Sequence, residues 1–222
     1  MGSEATAARR GRPDKREAII RAASRVFGRE GYARATVDAI AVEAGVSKKT
    51  IYNHFGDKAE LFRTAALEGV QEVSDHIGVL IDKHLSKILD LQTDLTDFAI
   101  DRVKAILGAP DEHTAFSRTI RAEVAHLPSA VLDEWLREGP MRSQREIAAK
   151  LRAMADRGLL AVDDADKAAE YYTLLSFTPI SDRTFFGALP ISDEEIAALA
   201  GDGVRMFLRL YASEPQASNR GP

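Results

Sequence analysis

Between Ser47 and Phe55 the chain reads Ser-Lys-Lys-Thr-Ile-Tyr-Asn-His-Phe. Two adjacent cations, an amide, hydroxyls, a phenol and an imidazole in so short a stretch suit one kind of chemistry. They can pair with phosphate charges and hydrogen-bond the edges of heterocyclic bases. Whether they can act together depends on where each points. On a helix turning about 100° per residue, Ile51 and Phe55 share one face. Lys49 and Asn53 share the opposite one, flanked by Thr50 and Tyr52, and Lys48 sits in the first turn. The helix N-terminus adds partial positive charge suited to a phosphate. Lysines on a surface helix are ordinarily a solvated face, so the elements around this one must decide.

Those elements are legible. Thr36 is a good N-cap, and Asp38 in the following turn complements the helix dipole. The pattern predicts a short helix over Val37–Ala44. Gly45 stops it in the left-handed conformation that glycine adopts freely. Val46-Ser47 turns, and Ser47 caps a second short helix running to His54 or Phe55. Ala41 is small where the second helix must approach, and Ile40, Val46 and Ile51 can form a small core between the two. This is the construction of a DNA-binding helix-turn-helix. A helix opening at Pro13 or Asp14 precedes it, with Ile19, Ile20, Ala23, Val26 and Phe27 on one face and Gly31 at its end. After it, Asp57 and Glu60 stand at capping-box spacing. They open a long helix striped by Phe62, Ala66, Val70, Val73, Ile77, Leu80 and Ile81.

Over residues 14–63 the chain resembles the DNA-binding domain of the TetR family of bacterial regulators. Thr36, Ile40-Ala41, Ala44-Gly45-Val46-Ser47, Ile51-Tyr52, His54-Phe55, Lys58 and Leu61-Phe62 carry the resemblance. It implies that Thr36, Lys48, Lys49, Thr50, Tyr52, His54 and Lys58 touch DNA. Lys48 and Lys49 take the positions of base readers; Tyr52, His54 and Lys58 take those of backbone anchors. Ser47 and Asn53 join this set from the helix geometry. The resemblance also implies a helical C-terminal domain that dimerises and holds an inducer pocket. Residues 115–160, with Arg121-Ala-Glu123 and a break at Pro128, are similar to the C-terminal domain called AefR-like.

The charge distribution agrees. Residues 1–63 carry thirteen Lys/Arg against eight Asp/Glu, a net of +5, whereas the rest carries seventeen against twenty-six, a net of −9. A basic end on an acidic body suits a partner that is a polyanion. The expected organisation is all-α: a flexible basic arm over 1–12, the helix-turn-helix domain over 13–60, a larger helical domain over 61–212 and a flexible tail over 213–222. Arg9, Arg10 and Arg12 could reach an adjacent minor groove or simply aid solubility. Further helical patterns fall at 91–107, 112–126, 129–137, 141–157, 164–178 and 193–211, with breaks at Pro110, Pro128, Pro140, Gly158, Pro179 and Pro190. No strand alternation or repeat of fixed period is visible.

The helices over 164–178 and 193–211 are apolar on more than one side, which calls for a second partner surface. A second copy of the chain supplies one most simply. Phe98, Arg102, Phe116, Arg121, His126, Trp135 and Tyr172 lie on helices that could line an effector cavity. The partners expected are therefore double-stranded operator DNA, a second subunit and a small-molecule effector, with no membrane, cofactor or metal. The five histidines lack His-Glu-x-x-His spacing, and there is no Gly-x-Ser-x-Gly elbow or phosphate-cradling glycine loop. An enzyme is not expected, and neither is a membrane span, since no apolar run approaches about 20 residues. The lack of cysteine fits a reducing cytoplasm. Two rivals remain: a small-molecule binder with a vestigial helix-turn-helix, and a helical enzyme using the C-terminal cavity.

Overall fold

A computed structural model describes residues 15–108 and 111–213. The expected helix start at Pro13 or Asp14, the basic arm, the Pro110 break and the tail beyond Ser213 lie outside the described residues. Among these residues the elements are α1 (Lys15–Glu30), α2 (Val37–Ala44), α3 (Lys48–Phe55), α4 (Lys58–Leu85), α5 (Leu91–Leu107) and α6 (Asp111–Ala122). They continue with a 3-10 turn (Val124–His126), α7 (Ser129–Glu138), α8 (Pro140–Asp156), α9 (Ala165–Ser176), α10 (Thr178–Arg183) and α11 (Asp193–Tyr211). The fold is all-α, as the periodicity predicts. Among the described residues the extended pairing is a single bridge between Leu160 and Ala212.

The described chain forms two compact units. One holds the residues up to Gly69 together with Asp111–Leu132; the other holds those from Val70 and from Asp133 onward. These units do not follow one cut in the sequence, because α6 packs along α1. Gly28 makes that approach possible: a Cβ there would lie 3.1 Å from the Phe116 backbone nitrogen. Thr119 Oγ1 donates to the Gly28 carbonyl at 3.1 Å. Phe116 then enters an aromatic cluster, stacked 5.9 Å from Phe27 and edge-on to Phe62 at 5.2 Å. Such pairs add about 0.5–1.5 kcal/mol beyond the area they bury. With Ile19, Val26, Ile40, Ile51 and Leu61 they form the core on which the short helices sit.

The second unit has its own core, from Ile77 and Ile81 on α4, Leu95 and Phe98 on α5, Ile147 and Leu151 on α8, Tyr172 on α9 and Val204 and Phe207 on α11. Boundaries differ from the sequence expectation in detail: the helix expected over 112–126 ends at Ala122 and the 3-10 turn follows it. The break predicted at Pro179 begins a short helix, α10, because proline is tolerated in a first turn. α11 is also closed by a full capping box, in which Ser192 accepts from Glu195 N while the Glu195 carboxylate reaches back to Ser192 N.

Candidate nucleic-acid interface

The two short helices owe their geometry to local chemistry. Thr36 Oγ1 accepts the Ala39 N–H at 3.1 Å and starts α2. Gly45 ends it at φ 65°, ψ 34°, with the Val46 N–H bonded to the Ala41 carbonyl at 3.0 Å. That is the pattern of a glycine C-cap. Ser47 Oγ accepts the Thr50 N–H at 3.1 Å and starts α3. Ile51 and Phe55 are buried, as the wheel predicts, and so are Ile40 and Ala41 on α2. The opposite face of α3 is therefore turned outward.

The candidate residues are not equivalent on that face. Lys49 and Asn53 are exposed and make no hydrogen bond or ion pair within the described residues. Tyr52 is exposed and His54 stands beside the Phe55 ring, with centroids 6.0 Å apart. Thr36 and Ser47 are occupied as caps, and the Thr50 hydroxyl pairs with that of Ser47 at 2.8 Å. Lys48 is engaged too. Its Nζ donates to Asp38 Oδ2 at 2.9 Å, and this hydrogen bond and charge hold the ammonium pKa above its ordinary value.

Lys58 reaches back from α4. Its Nζ lies 4.7 Å from the Tyr32 ring centroid and donates to the Ala33 carbonyl at 3.5 Å. Tyr32 is in turn fixed from the far side. Its backbone N–H donates to Glu123 Oε2 at 2.7 Å, and its ring meets Phe62 edge-on at 4.8 Å. Sequence reading does not find Tyr32, because an aromatic in a loop after a helix carries no periodic signal. Asp38 is likewise read only as a dipole partner.

This face offers an unpaired cation, an amide and a phenol on a helix of about two turns, with further cations at its margins. It can read base edges with Lys49 and Asn53 while caps and flanking groups meet phosphates. Comparison with known proteins agrees with this geometry. Residues 19–65 match the model of bacterial regulatory proteins of the tetR family, and residues 94–213 match that of the AefR-like transcriptional repressor C-terminal domain.

The chain belongs to the TetR family of bacterial regulators.

The relatives it matches are transcriptional regulators. The regulator TtgR of Pseudomonas putida is 45% identical over 65 residues, which span 29% of this chain and 30% of TtgR. The chain thus matches less than a third of the length of the first such relatives. Solved structures extend the likeness to the whole fold. A TetR-family regulator from Mesorhizobium loti MAFF303099 superposes with a TM-score of 0.80 at 27% identity, covering 89% of this chain and 96% of that one. The flavonoid-responsive regulator FrrA superposes with a TM-score of 0.70 at 25% identity, covering 91% and 98%.

The seven candidate effector residues divide between the units. Phe116, Arg121 and His126 belong to the first unit, where Phe116 is core and Arg121 and His126 are exposed. Phe98, Arg102, Trp135 and Tyr172 belong to the second and are all buried. Phe98 stacks on Tyr172 with centroids 6.0 Å apart. The Tyr172 hydroxyl donates to the Leu95 carbonyl at 2.7 Å, and burial pushes its pKa up. No group of three or more His, Asp or Glu among the described residues is arranged to hold a metal.

Proposed function

We propose that this regulator is a ligand-responsive repressor that binds a roughly palindromic operator as a homodimer and releases it when a small molecule occupies the C-terminal domain. The observation that carries the DNA half is the outward face of α3, where Lys49 and Asn53 have no partner within the described residues. Groups kept exposed and unpaired beside two well-made helix caps are available to an external partner. The basic N-terminal charge balance supports the same partner.

Dimerisation is supported by apolar stripes that the second unit leaves uncovered. Tyr171 and Leu174 on α9, and Met206 and Leu210 on α11, are exposed at helical spacings of three and four. A second subunit laid on these helices would bury them and set two α3 helices in successive major grooves, about 34–36 Å apart. An effector supports release if it favours a different separation, and a coupling of about 1–3 kcal/mol is enough. The match to a repressor C-terminal domain supports the sign of regulation, and the flavonoid-responsive neighbour supports a small-molecule input. Acting on DNA, the protein works in the cytoplasm; no helix among the described residues is long and apolar enough to cross a membrane.

The test is selection of bound sequences from a random duplex pool, followed by footprinting and light scattering. The expected result is an inverted repeat with half-sites one helical turn apart, bound by a dimer. Affinity should fall steeply with salt as phosphate contacts release counterions. Recovery of no preferred sequence, with no protection of DNA at low salt, would leave only a small-molecule binder with a vestigial helix-turn-helix.

A further inference from the structure

Arg102 is the most buried cation among the described residues of the second unit, with 6% of its surface exposed. Several other cations of that unit have acids beside them. Arg142 meets Asp75 at 2.8 Å and Glu146 at 3.1 Å, and Lys150 meets Asp82 at 2.8 Å. Arg102 makes no ion pair within the described residues. Its Nη1 donates to Thr173 Oγ1 at 3.0 Å, and its guanidinium lies 5.1 Å from the Phe177 ring centroid. Its Nε is buried without a hydrogen-bond partner. Burial pushes its pKa down to about 10, so it stays charged at neutral pH.

Gln144, on α8, completes the arrangement. Thr173 Oγ1 donates onward to Gln144 Oε1 at 3.2 Å, which leaves Gln144 Nε2 buried and unpartnered. Helices α5, α8 and α9 thus bring two orphaned donors around one hydroxyl. Turning the amide over would still leave the guanidinium edge open. A buried charge without a counter-charge is costly, and so is each buried donor left without an acceptor. A protein that places them on three packed helices has a use for an acceptor there. With Nη1 taken by Thr173, the free Nε–Nη2 edge is the fork that a carboxylate fills with two parallel hydrogen bonds.

We infer that Arg102 and Gln144 form the recognition end of an effector site, and that the effector is a small organic carboxylate held by the Arg102 Nε–Nη2 edge and Gln144 Nε2. The inference rests on the ligand-responsive reading above and gives its effector a chemical class. The aromatic surface of Phe177 beside the guanidinium favours a flat, apolar body behind the carboxylate.

Calorimetry on the full-length protein without DNA tests the site, with benzoate and acetate as probes and benzamide as the uncharged counterpart. Benzoate should bind, acetate more weakly, and benzamide about tenfold or more weaker than benzoate. Arg102→Met should weaken benzoate about tenfold or more, while circular dichroism confirms its fold. Gln144→Leu keeps the charge and removes only the amide; it should weaken benzoate about threefold or more, and it serves where Arg102→Met does not fold. Silence with both carboxylates, equal binding of benzamide, or undiminished benzoate binding in a folded variant overturns the site. Fluorescence anisotropy with operator DNA is read separately. Benzoate that binds without loosening DNA keeps the site and removes the release reading. DNA release by an uncharged compound, with no carboxylate binding, keeps release and removes the site.

Discussion

The first unit keeps its polar chemistry outside a conventional core, and the second keeps its own inside. In the first, Ile51 and Phe55 face inward and Lys49 and Asn53 face water. In the second, Leu174 on α9 and Leu210 on α11 are exposed apolar side chains, while the Arg102 Nε and the Gln144 Nε2 are buried. A surface cation waits for its partner at little cost, because water solvates it. A buried one does not, so its presence requires either a reason or a ligand. The two regions therefore teach different things: α3 offers exposed, unpaired groups to a partner outside, and the Arg102 cluster holds buried donors that a ligand would satisfy.

The comparison breaks most easily at Gly203, where stability of the second unit depends on close helix packing. A Cβ there would run into the Leu175 carbonyl oxygen and lie 2.5 Å from its carbon and 2.9 Å from Ser176 Cα. These are backbone atoms and cannot swing away. Gly203→Ala should force α11 from α9 and cost about 3 kcal/mol, at the upper end of overpacking costs, read by urea denaturation. Dimerisation should weaken with it, since Met206 and Leu210 on the same helix belong to the proposed interface. An unchanged midpoint would mean that the helices do not approach this closely.

Lys49→Ala should do the reverse. It removes an exposed side chain, so the urea midpoint should hold within about 0.5 kcal/mol. Operator affinity should fall by about 1–3 kcal/mol with relaxed preference at one base position. Equal loss on every sequence would reassign Lys49 to a phosphate. Gly45→Val is smaller and purely conformational. No heavy atom lies within 4 Å of a Cβ built there, so the cost is that of φ 65° alone. The expected destabilisation is about 1–2 kcal/mol, and an unaltered thermal midpoint would contradict a left-handed turn.

The sequence shows most of the first unit because its determinants are local. Thr36, Gly45 and Ser47 act within four residues of themselves, and helical period alone turns Ile51 inward. What escapes sequence reading depends on distance along the chain. Glu123 holds the Tyr32 N–H from 91 residues away, and nothing near either residue announces it. The assignment of α6 to the first unit is hidden for the same reason, as Gly28 and Thr119 reveal their match only when the helices meet. Arg102 is visible as a candidate, but Gln144 and Thr173 are not. An amide and a hydroxyl on helices are commonplace until three helices bring them together. Phe185 and Phe186, at φ 48° and 54°, carry no residue-type signal for that conformation.

The smallest effect concerns Lys48, the one expected base reader that the free protein already pairs. Its bond to Asp38 joins exposed groups and contributes little to stability. It does decide where the ammonium points before DNA arrives. Asp38→Asn should release Lys48 and tighten DNA binding about two- to fivefold at low salt, the scale of an exposed pair. The gain should shrink as salt rises, because the screening length falls from about 30 Å at 0.01 M to about 8 Å at 0.15 M. Asp38 could also act simply by repelling phosphates, and a double substitution separates the two. If Lys48 carries the gain, Asp38→Asn has no effect in a Lys48→Met background. If the gain persists there, Asp38 acts on its own, and if Lys48→Met by itself leaves affinity unchanged, Lys48 is not at the DNA. That would leave Lys49 and Asn53 alone as readers, the same pair that the helical wheel isolates without any family resemblance.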